Sequence, residues 1–173
     1  MRSAIVATAC LAALILAACG PTFNWRETSI SDTSLTALFP CKPRKASRRL
    51  ALGGQEVELH MTSCDAGGIT FAIGHATVPK PAMAGPALLK WREATLSGMR
   101  AKSSNASPLR LAGAHETPQS VRVQALGIKP GGGEIVLEAA WFAHDTEVFG
   151  ALLYGDAPSP DVVDTFFSGL KFR

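Results

Sequence analysis

The stretch that decides the fold runs from Glu134 to Tyr154 and reads EIVLEAAWFAHDTEVFGALLY. Two apolar runs, Glu134 to His144 and Glu147 to Tyr154, flank Asp145-Thr146, a pair suited to a tight turn. The runs are short, bounded, and built of aliphatic and aromatic residues, which is the composition of strands. Along the first run Ile135, Leu137 and Trp141 share a face, so Trp141 reads as a core residue. An antiparallel hairpin is therefore expected here.

Working towards the C-terminus, Asp156 to Pro160 is a loop leading into a helix. Ser159 suits the N-cap and Pro160 the first turn, where a missing N–H costs little. Val162, Val163, Phe166 and Phe167 supply the buried face, Gly169 ends the helix, and Leu170 to Arg173 returns as a short strand or tail. Towards the N-terminus, Pro130-Gly131-Gly132-Gly133 is a turn. In Ser120 to Ile128 the apolar Val121, Val123 and Ala125 alternate with Arg122 and Gln124, the period of a half-buried strand. Leu109 to Leu111 reads as another short strand. Leu88, Leu89, Trp91, Leu96 and Met99 recur at helical spacing in Ala87 to Lys102, with Lys90, Arg92, Glu93 and Arg100 opposite. That predicts a helix laying one stripe, Trp91 included, on a sheet, with Ser103-Ser104-Asn105 ending it.

Further upstream, Pro79, Pro81 and Pro86 make an extended connection. A strand from Ile69 to about Val78 pairs across Gly67-Gly68 with one carrying Val57, Leu59 and Met61. Gly53-Gly54 marks a turn before it. Leu35 to Phe39 is apolar and stops at Pro40, which cannot donate to a sheet ladder. Trp25 to Ile30 is the first strand. The order is strands, a helix, strands, a helix. This is an α+β domain: one antiparallel sheet of about six or seven strands, with a central and a C-terminal helix packed on it.

The chain has 173 residues, 47% of them hydrophobic and 18% charged, which excludes a disordered protein. The net charge of +3, or +2 without Arg2, is too small to imply nucleic acid.

At the N-terminus Arg2 precedes an apolar run, Ala4 to Ala18, that closes on Leu16-Ala17-Ala18-Cys19. The run is short of the roughly 20 residues a spanning helix needs and meets Gly20-Pro21 at once. This pattern resembles the signal of bacterial lipoproteins, in which small residues admit a peptidase and the cysteine takes a diacylglycerol. The resemblance implies residues 1–18 as signal peptide, Cys19 as the lipidation site, 19–25 as a lipidated tether and 26–173 as a single periplasmic α+β domain. Two buried acyl chains anchor stably. Gly20 is not the aspartate associated with inner-membrane retention, so the outer membrane is favoured over the inner. An uncleaved anchor, or a secretory signal cut at Ala18, is the alternative.

Of the four cysteines, Cys10 would leave with the signal and Cys19 would be acylated. Cys41 and Cys64 remain, an even pair in an oxidising compartment. A disulfide between them closes a loop of about 24 residues and stabilises by about 3 kcal/mol in the chain-entropy model. No C-x-x-C motif suggests a redox pair instead.

Three segments together resemble the PsbP-like superfamily: Phe39-Pro40 opening into basic residues, the helix after two hairpin strands, and Val148 to Gly155 before a helix ending Phe167-Ser168-Gly169-Leu170-Lys171-Phe172. That resemblance implies a binding or assembly module, and it supplies no catalytic set.

No G-x-S-x-G, H-E-x-x-H or Walker motif occurs, and no catalytic residue, metal ligand or cofactor is assigned. The glycine run at 131–133 precedes a strand, whereas a phosphate cradle precedes a helix. His60 lies on the polar side of its strand and His75 at the edge of the core. Neighbouring strands could bring the two together across the Gly67-Gly68 hairpin, or alternation could put them on opposite faces; a metal site needs three or four converging ligands. His115 and His144 read as loop residues.

Lys42, Arg44, Lys45, Arg48 and Arg49 form a basic run. It suits an anionic leaflet, an acidic partner or a polyanionic polymer, and equally a solvated edge that blocks strand-to-strand aggregation. Trp25, close to the tether, is a candidate contact to membrane or partner. The expected function is a non-enzymatic, membrane-anchored cell-envelope interaction module. One alternative is a small-ligand or lipid-binding periplasmic protein with a cavity near Trp91, Leu96 and Trp141. Another is a hydrolase with an unrecognised site around His60 or His75.

Overall fold

The computed structural model describes residues 22–173. The signal segment, Cys10 and Cys19 lie outside the described residues. The elements are β1 (Arg26–Ser29), β2 (Leu35–Phe39), β3 (Arg44–Leu52), β4 (Gln55–Ala66), β5 (Ile69–Thr77), α1 (Ala84–Gly98), β6 (Ser103–Pro108), β7 (Val121–Ile128), β8 (Glu134–His144), β9 (Glu147–Gly155), α2 (Pro160–Ser168) and β10 (Lys171–Phe172). A single 3-10 turn, Pro81–Met83, leads into α1.

Seven strands form one antiparallel sheet in the order β3-β4-β5-β9-β8-β7-β6. The expected β8–β9 hairpin lies inside it, turning at Asp145, whose φ is +50°. The class is α+β, but the single sheet of the sequence reading is corrected. β1, β2 and β10 form a separate three-stranded antiparallel sheet. The reason is that the large sheet is buried on both faces. In β8 every residue from Leu137 to Ala143 is buried. Leu137, Ala139 and Trp141 belong to the core under α1, whereas Ala140 and Phe142 belong to a second core under the small sheet and α2. The two helices thus lie over opposite faces of the sheet, not side by side.

Three close approaches set the path of α1. A Cβ on Gly53, in the β3–β4 turn, would sit 3.1 Å from the Ala87 backbone. Gly74 and Gly150 are direct partners across β5 and β9, and a Cβ there would meet the Trp91 indole at 2.8 Å and 3.1 Å. Met99 lies against Gly127 of β7. α1 therefore starts at one edge of the sheet and crosses it diagonally, with Trp91 seated in a two-glycine notch.

Other differences are local. Ser103 to Asn105 does not merely end the helix; it opens the edge strand β6, and Leu109 to Leu111 is not a strand. β6 has the composition SSNASP and is exposed throughout, so it lacked any hydrophobic signal. Ser159 occupies the N-cap of α2 but makes no side-chain capping bond. On the far side, Glu138 is buried, accepting hydrogen bonds from Arg122 at 3.1 Å and Gln124 at 2.6 Å. The Arg122 guanidinium lies 3.4 Å from the centre of the Phe167 ring and holds α2 to β7. Among the described residues no helix is long and apolar enough to cross a membrane.

Candidate functional site

The basic run becomes the edge strand β3 and its approach. Among the described residues β3 pairs only with β4, so its outer row of N–H and C=O groups is free of ladder bonds there. Alternation divides the charges. Arg44 and Arg48 lie opposite Ser63 and Leu59, on the α1 side, while Lys45 and Arg49 lie opposite Thr62 and Glu58, on the other side. Arg44 pairs with Asp65 at 2.8 Å and Arg49 reaches Glu56 at 4.0 Å, all four side chains largely exposed. Such pairs contribute little in water. Among the described residues Lys42, Lys45 and Arg48 have no ion-pair partner within 4.0 Å. The edge therefore presents positive charge on both sides of an unpaired strand.

The chain enters this edge through Pro40-Cys41-Lys42-Pro43. Cys41 and Cys64 form a disulfide, as their spacing suggested, with Cα atoms 6.1 Å apart. Cys64 is buried on β4, so the bridge ties the end of the small sheet to the large one just before β3 begins. The start of the basic strand is thereby held in place.

Trp25 is half-buried, not free. Its ring meets Phe71 edge-on at 5.7 Å and stacks on Phe23 at 6.0 Å, at the margin of the second core.

His60 and His75 are direct partners across the β4–β5 hairpin. Of the two arrangements the sequence left open, the register selects proximity on one face: paired residues in an antiparallel ladder share a face, and the rings stack at 4.9 Å. His75 is buried and also stacks on Phe149 at 6.1 Å. Burial first, and then the neighbouring His60, push its pKa down to about 4, against a smaller upward pull from Asp32. At neutral pH His75 is an uncharged core group.

His115 and His144 form a second pair that the sequence did not suggest. His144 is the last residue of β8, stacks on Phe172 at 4.6 Å and makes a 2.7 Å hydrogen bond between Nδ1 and the Gly113 carbonyl. His115 Nε2 accepts from the Asp145 backbone N–H at 3.2 Å. Asp145 stands between the two imidazoles, 3.7 Å from each. This set pins the 109–120 connection to the β8–β9 turn. Burial raises the pKa of the neighbouring Glu147. Among the described residues no three His, Cys, Asp or Glu side chains are grouped to hold a metal ion.

The expectation of one cavity near Trp91, Leu96 and Trp141 is corrected, because the three do not line a common hollow. Trp141 is wholly buried, and Leu96 lines a separate hollow with Arg100 and Lys102. Trp91 instead helps wall a cleft between α1 and β3. No protein-family model matches the chain, and no curated protein matches it.

Proposed function

We propose that this chain is a membrane-tethered module of the cell envelope that works by docking an acidic partner protein on its basic edge strand. The observation that carries the reading is the free β3 edge, where Lys45 and Arg48 stand exposed without acidic partners among the described residues. Three features support it. The Leu16-Ala17-Ala18-Cys19 segment suits lipidation and an outer-membrane address facing the periplasm. The Cys41–Cys64 bridge suits an oxidising compartment. The resemblance to PsbP-like proteins points to assembly rather than catalysis. An edge strand adds a partner strand through main-chain hydrogen bonds, and flanking charge selects that partner.

Photo-crosslinking in cells tests this reading. A crosslinker at Ser47 or Ala51 in β3 should give a discrete protein adduct, lost with Lys45→Glu plus Arg49→Glu. One at Ser104, on the opposite edge, should not. No adduct from β3, or one indifferent to charge reversal, overturns the docking reading. Cys19→Ser should move the protein from the membrane fraction to the soluble periplasm; unchanged fractionation overturns the tether.

A further inference from the structure

The diagonal path of α1 leaves part of the sheet face beside it uncovered. On that side a cleft of about 290 Å³ opens between the helix and β3, walled by Leu50, Leu52, Leu59 and Trp91. A second hollow of about 480 Å³ follows, lined by Met99, Ile135 and Tyr154. Ala94 and Thr95 of α1 line both, so the two hollows make one elongated groove along a single flank of the helix. Its volume lies in the range of small-molecule sites, and its walls are mainly apolar.

The two ends differ in charge. Arg48 and Lys90 line the β3 end. Lys90 shares its charge with Glu93 at 2.8 Å, whereas Arg48 has no acidic partner among the described residues. At the far end Lys129 is already paired with Asp156. The groove is therefore apolar along its length with unspent positive charge at one end. We infer that it binds a single acyl chain bearing a carboxylate, the chain lying along α1 past Ala94 and Thr95 and the head group at Arg48 and Lys90. A guanidinium offers the planar pair of donors that a carboxylate accepts. The apolar walls supply a binding energy that grows with each methylene removed from water. This inference goes beyond the docking reading: the two share Arg48, but docking uses the outer edge of β3 with Lys45 and Arg49 on its other side.

The test uses the full chain carrying Cys19→Ser, purified without detergent, and undecanoate with a bromine on its terminal carbon as the probe. Bromine close to an indole quenches its fluorescence. Trp91 walls the groove, whereas Trp141 is wholly buried and Trp25 lies over the opposite face of the sheet. Quenching should saturate at micromolar probe and be reversed by unlabelled dodecanoate. Replacing the carboxylate by an alcohol, or making Arg48→Glu with Lys90→Glu, should each weaken binding by about tenfold or more, the scale of a charge-assisted contact. Thr95→Phe, which fills the junction of the two hollows from the helix surface, should abolish quenching while leaving the circular dichroism spectrum native. Lys45→Glu with Arg49→Glu should leave quenching unchanged, which separates this site from the docking edge. Absence of saturable quenching overturns the inference. So does equal binding of the alcohol, or binding that survives Thr95→Phe in a folded protein.

Discussion

Acid should unfold this protein partly through one residue, His75. The unfolded chain takes up a proton there near pH 6.5, but the folded chain resists until about pH 4, because charging the ring means charging a buried group that faces His60. Phe149 covers it from β9, and only Asp32, from the β1–β2 connection, favours the proton. The folded pKa is depressed, so the contribution to stability is complete above pH 6.5 and is lost as pH falls towards 4. The shift corresponds to about 3 kcal/mol at its limit and to about 2 kcal/mol by about pH 5. That is a large fraction of the stability of an ordinary domain. The perturbation is His75→Phe, which keeps an aromatic ring against Phe149 and cannot titrate. Urea unfolding of the two proteins, compared from about pH 7.5 to about pH 5, should show the wild type losing about 2 kcal/mol more than the variant. Parallel stability curves would refute the assignment, and a His75 signal titrating near pH 6.5 by NMR would refute it directly.

Two further outcomes follow from the packing. Gly74→Ala should destabilise by about 1–3 kcal/mol, because its Cβ would stand 2.7 Å from Met61 Sδ and 2.8 Å from Trp91 Cζ2, and thermal melting unchanged by it would dismiss the notch that seats α1. Cys41→Ala with Cys64→Ala should cost about 3 kcal/mol in urea unfolding by the loop-closure model, and the wild type should show neither thiol to a labelling reagent until it is reduced.

The sequence disclosed the strands more readily than their arrangement. β4, β5, β7, β8 and β9 were legible because local chemistry marks them: alternation in Val57 to Met61 and Val121 to Ala125, paired glycines at the hairpin, a short polar turn at Asp145. The second sheet was not, because β1 and β2 carry the same kind of signal as the strands of the first, and nothing local says to which neighbour a strand hydrogen-bonds. One clue was available. Ala139 to Ala143 is apolar at consecutive positions, so both faces of β8 need cover. β6 was hidden for the opposite reason: an exposed edge strand of serines has no apolar face to betray it.

The site divides the same way. The basic edge could be read directly, since five cations within eight positions, Lys42 to Arg49, cannot lie in a core. The disulfide followed from counting. The histidine pair was visible as neighbours but not as a stack, because its facing depends on register. Matching His60 to His75 puts Cys64 opposite Phe71 and buries Thr62 and Cys64 on the apparently polar side of β4. Of the groove, only Trp91 could be read. Its walls come from β3, β4, α1, β8 and β9, and it exists only because α1 crosses at an angle. That angle is set by glycines at 53, 74, 127 and 150, each of which lets the helix approach one strand. Four residues without side chains thus place the helix, and the placement leaves Arg48, otherwise one more surface cation, at the end of an apolar channel.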